Sequence, residues 1–333
     1  MLTTETVSRL FSAFNDLNVL IIGDVMVDSY LWGSVERISP EAPVPIVSVE
    51  RRENRMGGAA NVGLNVKSLG ANAILCSVIG HDVKGSEFLN LLVKENMPNN
   101  GIVRSDNRLT TTKFRVFGNH SQMLRVDEET VSELNEEDFG QLLDKISGLL
   151  NNQKVDVIIF QDYDKGTITP ALIKEVVALA LEKRIPVVVD PKKKNFLDYK
   201  NVTLFKPNLK ELKEGLNLEI DENNPEKVVE AITRLRDILG AEIILNTLSS
   251  QGVYVKWQGG SQHITAHLRN ISDVSGAGDT VISVAALCLA MDIEPPEMAA
   301  IANLAGGLVC EEVGVVPIDK NKLQDEVIRL LTR

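Results

Sequence analysis

The sequence predicts an α/β protein with a doubly wound, mostly parallel central sheet, and two observations carry that prediction. Short runs that are apolar almost throughout alternate with stretches of helical periodicity, the pattern of strands buried on both faces with crossover helices between them. Several of those runs stop at a small, acidic or amide residue, on the edge where such sheets bind ligands. Val7, Leu10, Phe11, Phe14 and Leu17 recur at helical spacing, and 19–24 follows as a buried strand that ends at Gly23-Asp24. Runs at 155–160, 186–190, 202–205 and 242–246 read the same way, with helical periodicity over 171–183. Near the end, 281–291 reads as a buried helix.

Two segments break the alternation. The first, about 30–55, contains Pro40, Pro43 and Pro45 and a half-exposed strand over 45–50. The second, about 110–127, reads as a hairpin in which 112–117 and 122–127 flank Gly118-Asn119-His120. Together they predict a small β lid over the ligand-binding edge, inserted in one continuous domain spanning 1–333 without repeat or linker.

A chain of 333 residues with 44% hydrophobic and 24% charged residues can bury a large core and is not a disordered chain. Its net charge of −11 argues against nucleic acid and membrane surfaces as partners, so any phosphate site has to be local. Cys76, Cys288 and Cys310 stand far apart in apolar surroundings, which predicts buried thiols in a reducing compartment. The N-terminus has no basic and apolar leader pattern, and the longest apolar run is much shorter than the ~20 residues that span a bilayer, so a cytoplasmic protein is expected.

The run Asp273-Val-Ser-Gly-Ala-Gly-Asp-Thr280 leads directly into the apolar helix. Gly276 and Gly278 let backbone N–H groups approach an anion, with Ala277 between them, and the helix N-terminus adds positive potential. Asp279 is then a carboxylate beside that anion without an evident structural duty, and its place at a helix start predicts a lowered pKa. Asp24, Asp162, Asp190 and Asn208 fall at strand ends. His263 and His267 are spaced like metal ligands on a helix but sit in an alternating, strand-like stretch and are read as solvated. There is no G-x-x-x-x-G-K-[ST] loop, and no G-x-G-x-x-G follows the first strand, which excludes a P-loop kinase and weakens a nicotinamide enzyme.

Gly57-Gly58-Ala-Ala-Asn61, Asn208-Leu-Lys-Glu211, Asn246-Thr247 through Gly252 and Asp273 to Asp279 together resemble the ribokinase-like, or PfkB, carbohydrate kinase family over nearly the whole chain. The resemblance implies an ATP-dependent phosphotransferase with Asp279 as base and the Gly276 to Asp279 backbone as anion hole. It implies sugar contacts at Asp24, Asp28, Gly57, Gly58, Asn61, Asp162 and Lys165, and nucleotide contacts at Lys192, Asn208, Thr247, Ser249, Gly252, Gly276, Gly278 and Asn303. Mg²⁺ is expected at Glu211, largely through water. Asp273 and Ser275, with carbonyls near Gly314, resemble a monovalent-cation site for K⁺.

Arg37-Ile-Ser-Pro-Glu-Ala-Pro-Val-Pro45, Gly23 to Asp28 and Asp190-Pro-Lys192 resemble more narrowly the branch acting on the anomeric hydroxyl of D-glycero-D-manno-heptose 7-phosphate. A sugar phosphate needs cations, and Arg37, Arg55, Lys113, Arg115 and Arg125 in the lid segments, with Lys192, are the candidates. Gln161 and Asp164 replace the small residues usual in that branch, and Leu248-Ser249-Ser250 replaces an arginine-containing stretch. Another sugar phosphate is therefore the alternative within the class, and a non-catalytic sugar sensor the alternative outside it. Exposed lid edges predict a homodimer through the lid, and the end at Arg333 predicts a form carrying the kinase alone.

Overall fold

Thr3 caps the first helix, α1 (Thr4–Ala13), in a reciprocal capping box with Thr6, and a 3-10 turn over Phe14–Asp16 delivers the chain into β1 (Asn18–Gly23). The computed structural model describes residues 2–219 and 224–332. Two long strands follow, β2 (Val25–Ile38) and β3 (Pro45–Gly58), then α2 (Ala59–Ser68), β4 (Asn72–Gly80), α3 (Val83–Lys94), β5 (Ile102–Ser105), β6 (Thr112–Gly118), β7 (Ser121–Glu128) and α4 (Glu136–Asn152). The second half alternates more regularly: β8 (Val157–Gln161), α5 (Pro170–Lys183), β9 (Val187–Asp190), β10 (Leu204–Phe205), α6 (Leu209–Leu216), α7 (Pro225–Leu239) and β11 (Ile243–Thr247). The remaining elements are β12 (Val253–Trp257), β13 (Gly260–Ile264), α8 (Ala277–Ala290), α9 (Pro295–Val309) and α10 (Lys320–Leu331).

The large sheet has the order β13-β12-β11-β10-β9-β8-β1-β4-β5. It is parallel from β5 to β11, while β12 and β13 add an antiparallel edge. Alternation within β1 shows why its residues are apolar on both sides. Val19 and Ile21 join the core shared with α1, α2, α8, α9 and α10, whereas Leu20 and Ile22 join the core shared with α4, α5, α6 and α7. The fold is thus of the expected α/β type, doubly wound around a mostly parallel sheet. Cys76, Cys288 and Cys310 are buried free thiols, and burial pushes Cys76 and Cys288 up to about 12. Among the described residues no helix is long and apolar enough to cross a membrane.

A second sheet, ordered β3-β2-β6-β7, combines the two segments that broke the alternation. It covers 25–58 and 112–128, more than the expected 30–55 and 110–127 at the first segment, because the Gly57-Gly58 pair carries β3 back to the start of α2. The β6–β7 turn uses Asn119 and His120 at φ of 50° and 66°, the left-handed pair of a tight hairpin. β2 pairs with β3 antiparallel but with β6 in parallel. Strand alternation gives this sheet two unlike faces. One carries Asp28, Tyr30 and Trp32 beside Lys113, Arg115 and Phe117, with Arg51, Glu53 and Arg55 across from them. Tyr30 and Trp32 stack at 5.2 Å, and the Arg51 guanidinium lies 3.8 Å over Trp32. The other face carries Leu31, Val116, Leu124 and Val126, the last two exposed.

Candidate active site

Gly276 is the N-cap of α8 at φ +80°, a left-handed conformation suited to glycine, and a Cβ there would come within 3.2 Å of Asn61 Nδ2. No side chain caps this helix, so the first-turn N–H groups of Gly278 and Asp279 lack helical acceptors by position. Ala277 departs from the expectation of a free anion donor, because its N–H is turned to the Val274 carbonyl at 3.3 Å.

Asp279 is buried at the head of this helix and accepts from Asn61 Nδ2 at 2.6 Å, Tyr163 Oη at 2.9 Å and Gln161 Nε2 at 3.2 Å. Its carboxyl is held up at about 6 rather than lowered as the helix start predicts. Burial is the main cause and Asp190 adds to it, while the Asn61 and Tyr163 donors and the Lys206 charge pull the other way. Loss of solvent outweighs the helix potential. A carboxyl poised there can take a proton near neutral pH, which a fully ionised surface aspartate does poorly.

Below the cradle lies an ion pair that the sequence reading did not assign to the site. Lys206, immediately after β10, meets Asp190 at the end of β9 at 3.0 Å, both side chains buried. A Cβ on Gly278 would lie 3.6 Å from Lys206 Nζ, so this ammonium sits against the glycine turn. Gln161, last residue of β8, joins the two groups through Nε2, 3.3 Å from Asp190 Oδ2. The strand-end logic that picked out Asp190 and Asn208 would also have found Lys206, had it been extended to cations.

Among the residues expected at the nucleotide, Asn208 and Glu211 form a reciprocal capping box at the start of α6, with contacts of 2.8 and 2.9 Å, and Glu211 also pairs with Lys192. Asn208 bridges to Thr247, placing α6 beside the end of β11. Ser249 begins an exposed 3-10 turn, and Gly252 closes it at φ +91°, where a Cβ would strike the Ile264 carbonyl oxygen at 2.1 Å. Asn303 donates to the Thr265 carbonyl at 3.0 Å, tying the exit of β13 to α9. Asp273 accepts from the N–H of Ser275 at 2.9 Å and of Gly314 at 3.1 Å, so these three do converge, and the N–H donors lower its carboxyl. His263 lies in β13 and His267 beyond it.

On the sugar side Gly57 leaves room for Asp28, since a Cβ there would lie 2.2 Å from Asp28 Oδ2. Arg115 donates to Asp28 from the neighbouring strand. Lys113, half-buried next to them, has no hydrogen-bond or ion-pair partner among the described residues, and burial pushes its ammonium down. Gly58 takes φ +60° against the Asp24 carbonyl.

Asp24 and Asp162, expected at the sugar, are both engaged by donors from the protein itself. The Asp24 carboxylate accepts from the N–H groups of Tyr163, Lys165 and Thr167 at 3.0 to 3.1 Å, which fastens the loop after β8 to the end of β1. Asp162 is buried under Tyr199 and Asn195, which donate to it at 2.8 and 3.1 Å, and burial followed by the Asp24 charge raises it to about 6. Arg37 does not join the group. It stands exposed near the far end of β2, about 30 Å along the strand from Asp28 at 3.3 Å per residue. Arg125 is committed to Asp127 by two bonds of 2.9 Å, Arg55 to Glu53, and Lys165 to Glu129 at 2.8 Å.

An uncapped glycine-flanked helix start, a buried carboxylate at its head and a cation beneath it, on the carboxyl edge of a doubly wound sheet, define a phosphoryl-transfer site. The profile of the pfkB family carbohydrate kinases matches residues 16–321, and the chain belongs to that family. A bifunctional protein HldE from Geobacter sulfurreducens is 37% identical over 93% of this chain and 63% of its own length. Another from Paramagnetospirillum magneticum is 40% identical over 89% of this chain and 60% of its own. The chain thus spans less than two thirds of the length of these relatives. Among solved structures, phosphofructokinase-2 from Escherichia coli in complex with potassium superposes with a TM-score of 0.78 at 20% identity, covering 95% of this chain and 99% of the other. Arabidopsis thaliana ribokinase complexed with ribose and ATP gives 0.70 at 16% identity, covering 92% and 98%.

Proposed function

We propose that the chain transfers the γ-phosphate of ATP to the anomeric hydroxyl of D-glycero-D-manno-heptose 7-phosphate, giving the 1,7-bisphosphate, with Asp279 as the base. The observation that carries the chemistry is Asp279 itself, a buried carboxylate held by Asn61 from the Gly57-Gly58 side and standing in the first turn of the uncapped α8. An incoming hydroxyl takes the place of one of its donors and gives up its proton to the carboxylate as it attacks phosphorus. The N–H groups of Gly278 and Asp279 and the Lys206 ammonium stabilise the charge on the transferring group. ATP lies along Lys192, Asn208, Thr247, Ser249, Gly252 and Asn303.

Among the described residues no group of three or more His, Cys, Asp or Glu could cage a metal. The donor set therefore suits Mg²⁺ that arrives on nucleotide phosphates and keeps its waters, with Glu211 holding one of them. When bound, that ion neutralises phosphate charge. The finer substrate rests on the Arg37 to Pro45 string, on the HldE-named relatives and on Lys113, a half-buried ammonium next to Asp28 that makes no hydrogen bond or ion pair among the described residues. Asp28 and Asn61 contact sugar hydroxyls in this reading, and Lys113 with Arg115 meets the distant phosphate. The exposed apolar face of the small sheet supports a homodimer formed through that sheet, and the buried free thiols suit a cytoplasmic setting. ADP release measured across heptose 7-phosphate, fructose 6-phosphate, ribose and nucleosides tests the substrate. A strong preference for the heptose phosphate is expected, and its absence transfers the reading to another sugar. No turnover with any of them would favour a sensor.

A further inference from the structure

Gln161 is 1% exposed, and its side-chain amide is spent on charged neighbours. Nε2 stands 3.2 Å from Asp279 Oδ1 and 3.3 Å from Asp190 Oδ2, one proton for each carboxylate. Those neighbours fix the orientation of the amide, because the reverse would set its oxygen against two carboxylates. Oε1 is left buried and without a partner among the described residues. An unpaired buried carbonyl oxygen is destabilising, so the bridge is maintained against a cost.

We propose that Gln161 is a positioning residue for phosphoryl transfer, a bridging amide that holds the Asp279 carboxylate in place and couples it to the Asp190–Lys206 pair beneath the anion cradle. The proposal rests on Asp279 being the base. A donated hydrogen bond also favours the ionised carboxylate over its acid. The other groups facing Asp279 are Asn61 from α2, Tyr163 from the loop after β8, Asp190 from β9, Lys206 after β10 and Lys192 from the loop after β9. Of these, Asp190 raises the carboxyl while Lys206 and the two hydrogen-bond donors lower it. Removing the Gln161 donor leaves Asp190 less well offset, so the carboxyl rises.

Gln161→Met keeps the length and apolar stem and removes both polar atoms. The acid limb of kcat/KM for heptose 7-phosphate should move up by about one pH unit, so that the rate falls about tenfold on the acid side and recovers above pH 8, with KM for ATP little changed. A carbon-13 titration of labelled aspartate carboxyls in the ligand-free protein, with Asp279→Asn for assignment, should show the same upward movement. A uniform loss of rate with an unmoved titration would mean a merely structural residue and overturns the proposal, as does an unchanged profile. Should Gln161→Met not fold, Gln161→Glu puts a third carboxyl between the two and should push the limb up further; an unmoved limb overturns the proposal there too. Asp279→Asn separates the two levels. Near-normal turnover in that variant removes the base itself, whereas an inactive Asp279→Asn beside an unmoved Gln161→Met removes only the role of Gln161.

Discussion

The carboxyl edge of the nine-stranded sheet and the cation-bearing face of the four-stranded sheet, the two sides of the proposed site, are built by opposite rules. On the edge, Asp24, Asp162, Asp190 and Asp279 are buried, and hydrogen-bond donors or an ion pair engage each of them. On the small sheet the charges are more exposed, and several pair with close neighbours along or across strands: Arg55 with Glu53, Arg125 with Asp127 and the less exposed Arg115 with Asp28. A buried charge that loses its partner costs about 3–5 kcal/mol, an exposed pair contributes about 0–1 kcal/mol. The edge is therefore fixed in geometry and intolerant of change, as chemistry at a single atom requires. The small sheet can exchange its exposed side chains more cheaply, as suits a surface proposed to select among sugars.

Substitutions can break that contrast, and the largest effect falls on the edge. Asp279→Asn should lower turnover by about 10²–10⁴-fold, the usual contribution of a general base, with sugar binding retained in a direct titration. Lys206→Met removes the cation opposite a buried Asp190, and chemical denaturation should show a loss of about 3–5 kcal/mol beside the fall in activity.

A third measurement concerns stability and pH. The folded Asp279 carboxyl titrates at about 6 against an ordinary 3.8, so the folded state binds the proton more tightly than the unfolded one. Stability is thus lost as pH rises from about 4 to about 6, and the loss is complete above that. Asp279→Asn escapes it and should be more stable than the parent at pH 7.5, by at most about 3 kcal/mol, with the gap closing below pH 4. A gap independent of pH would contradict the assignment. On the small sheet, Lys113→Met should raise KM for the phosphorylated sugar by about 10–100-fold, with kcat and melting temperature nearly unmoved. A loss of stability comparable to that of Lys206→Met would erase the contrast.

Local signals were the legible ones. Gly276, Gly57 and Gly58 stood out because a left-handed turn or a close approach requires glycine, and the run at 281–291 because a helix buried all round is apolar all round. The buried strands of the sheet centre were readable for the same reason. Asp24 and Asp28 show what was not. Four residues apart and chemically identical, one turns to loop N–H groups some 140 residues away and the other to Arg115, which only the tertiary arrangement decides. The direction of the Asp279 shift was misread because helix potential is visible in a sequence and desolvation is not. Gln161 was visible as a departure, but its partners were not.

The parallel pairing of β2 with β6 bears on the order in which the molecule assembles. Between those strands the chain runs through β3, α2, β4, α3 and β5, so their pairing closes a long loop whose entropy has to be met before the side chains along it are satisfied. The pairing of β2 with β3 is local, and so is that of β6 with β7, but the join between the two hairpins depends on the main sheet having placed both. Two preformed ribbons docking late should leave amides at the β2–β6 seam among the first to exchange with deuterium in the native state, ahead of those in β1 and β8. The surface proposed to hold the sugar would then be the last made and the first to loosen, while the edge proposed to perform the transfer stays folded beneath it.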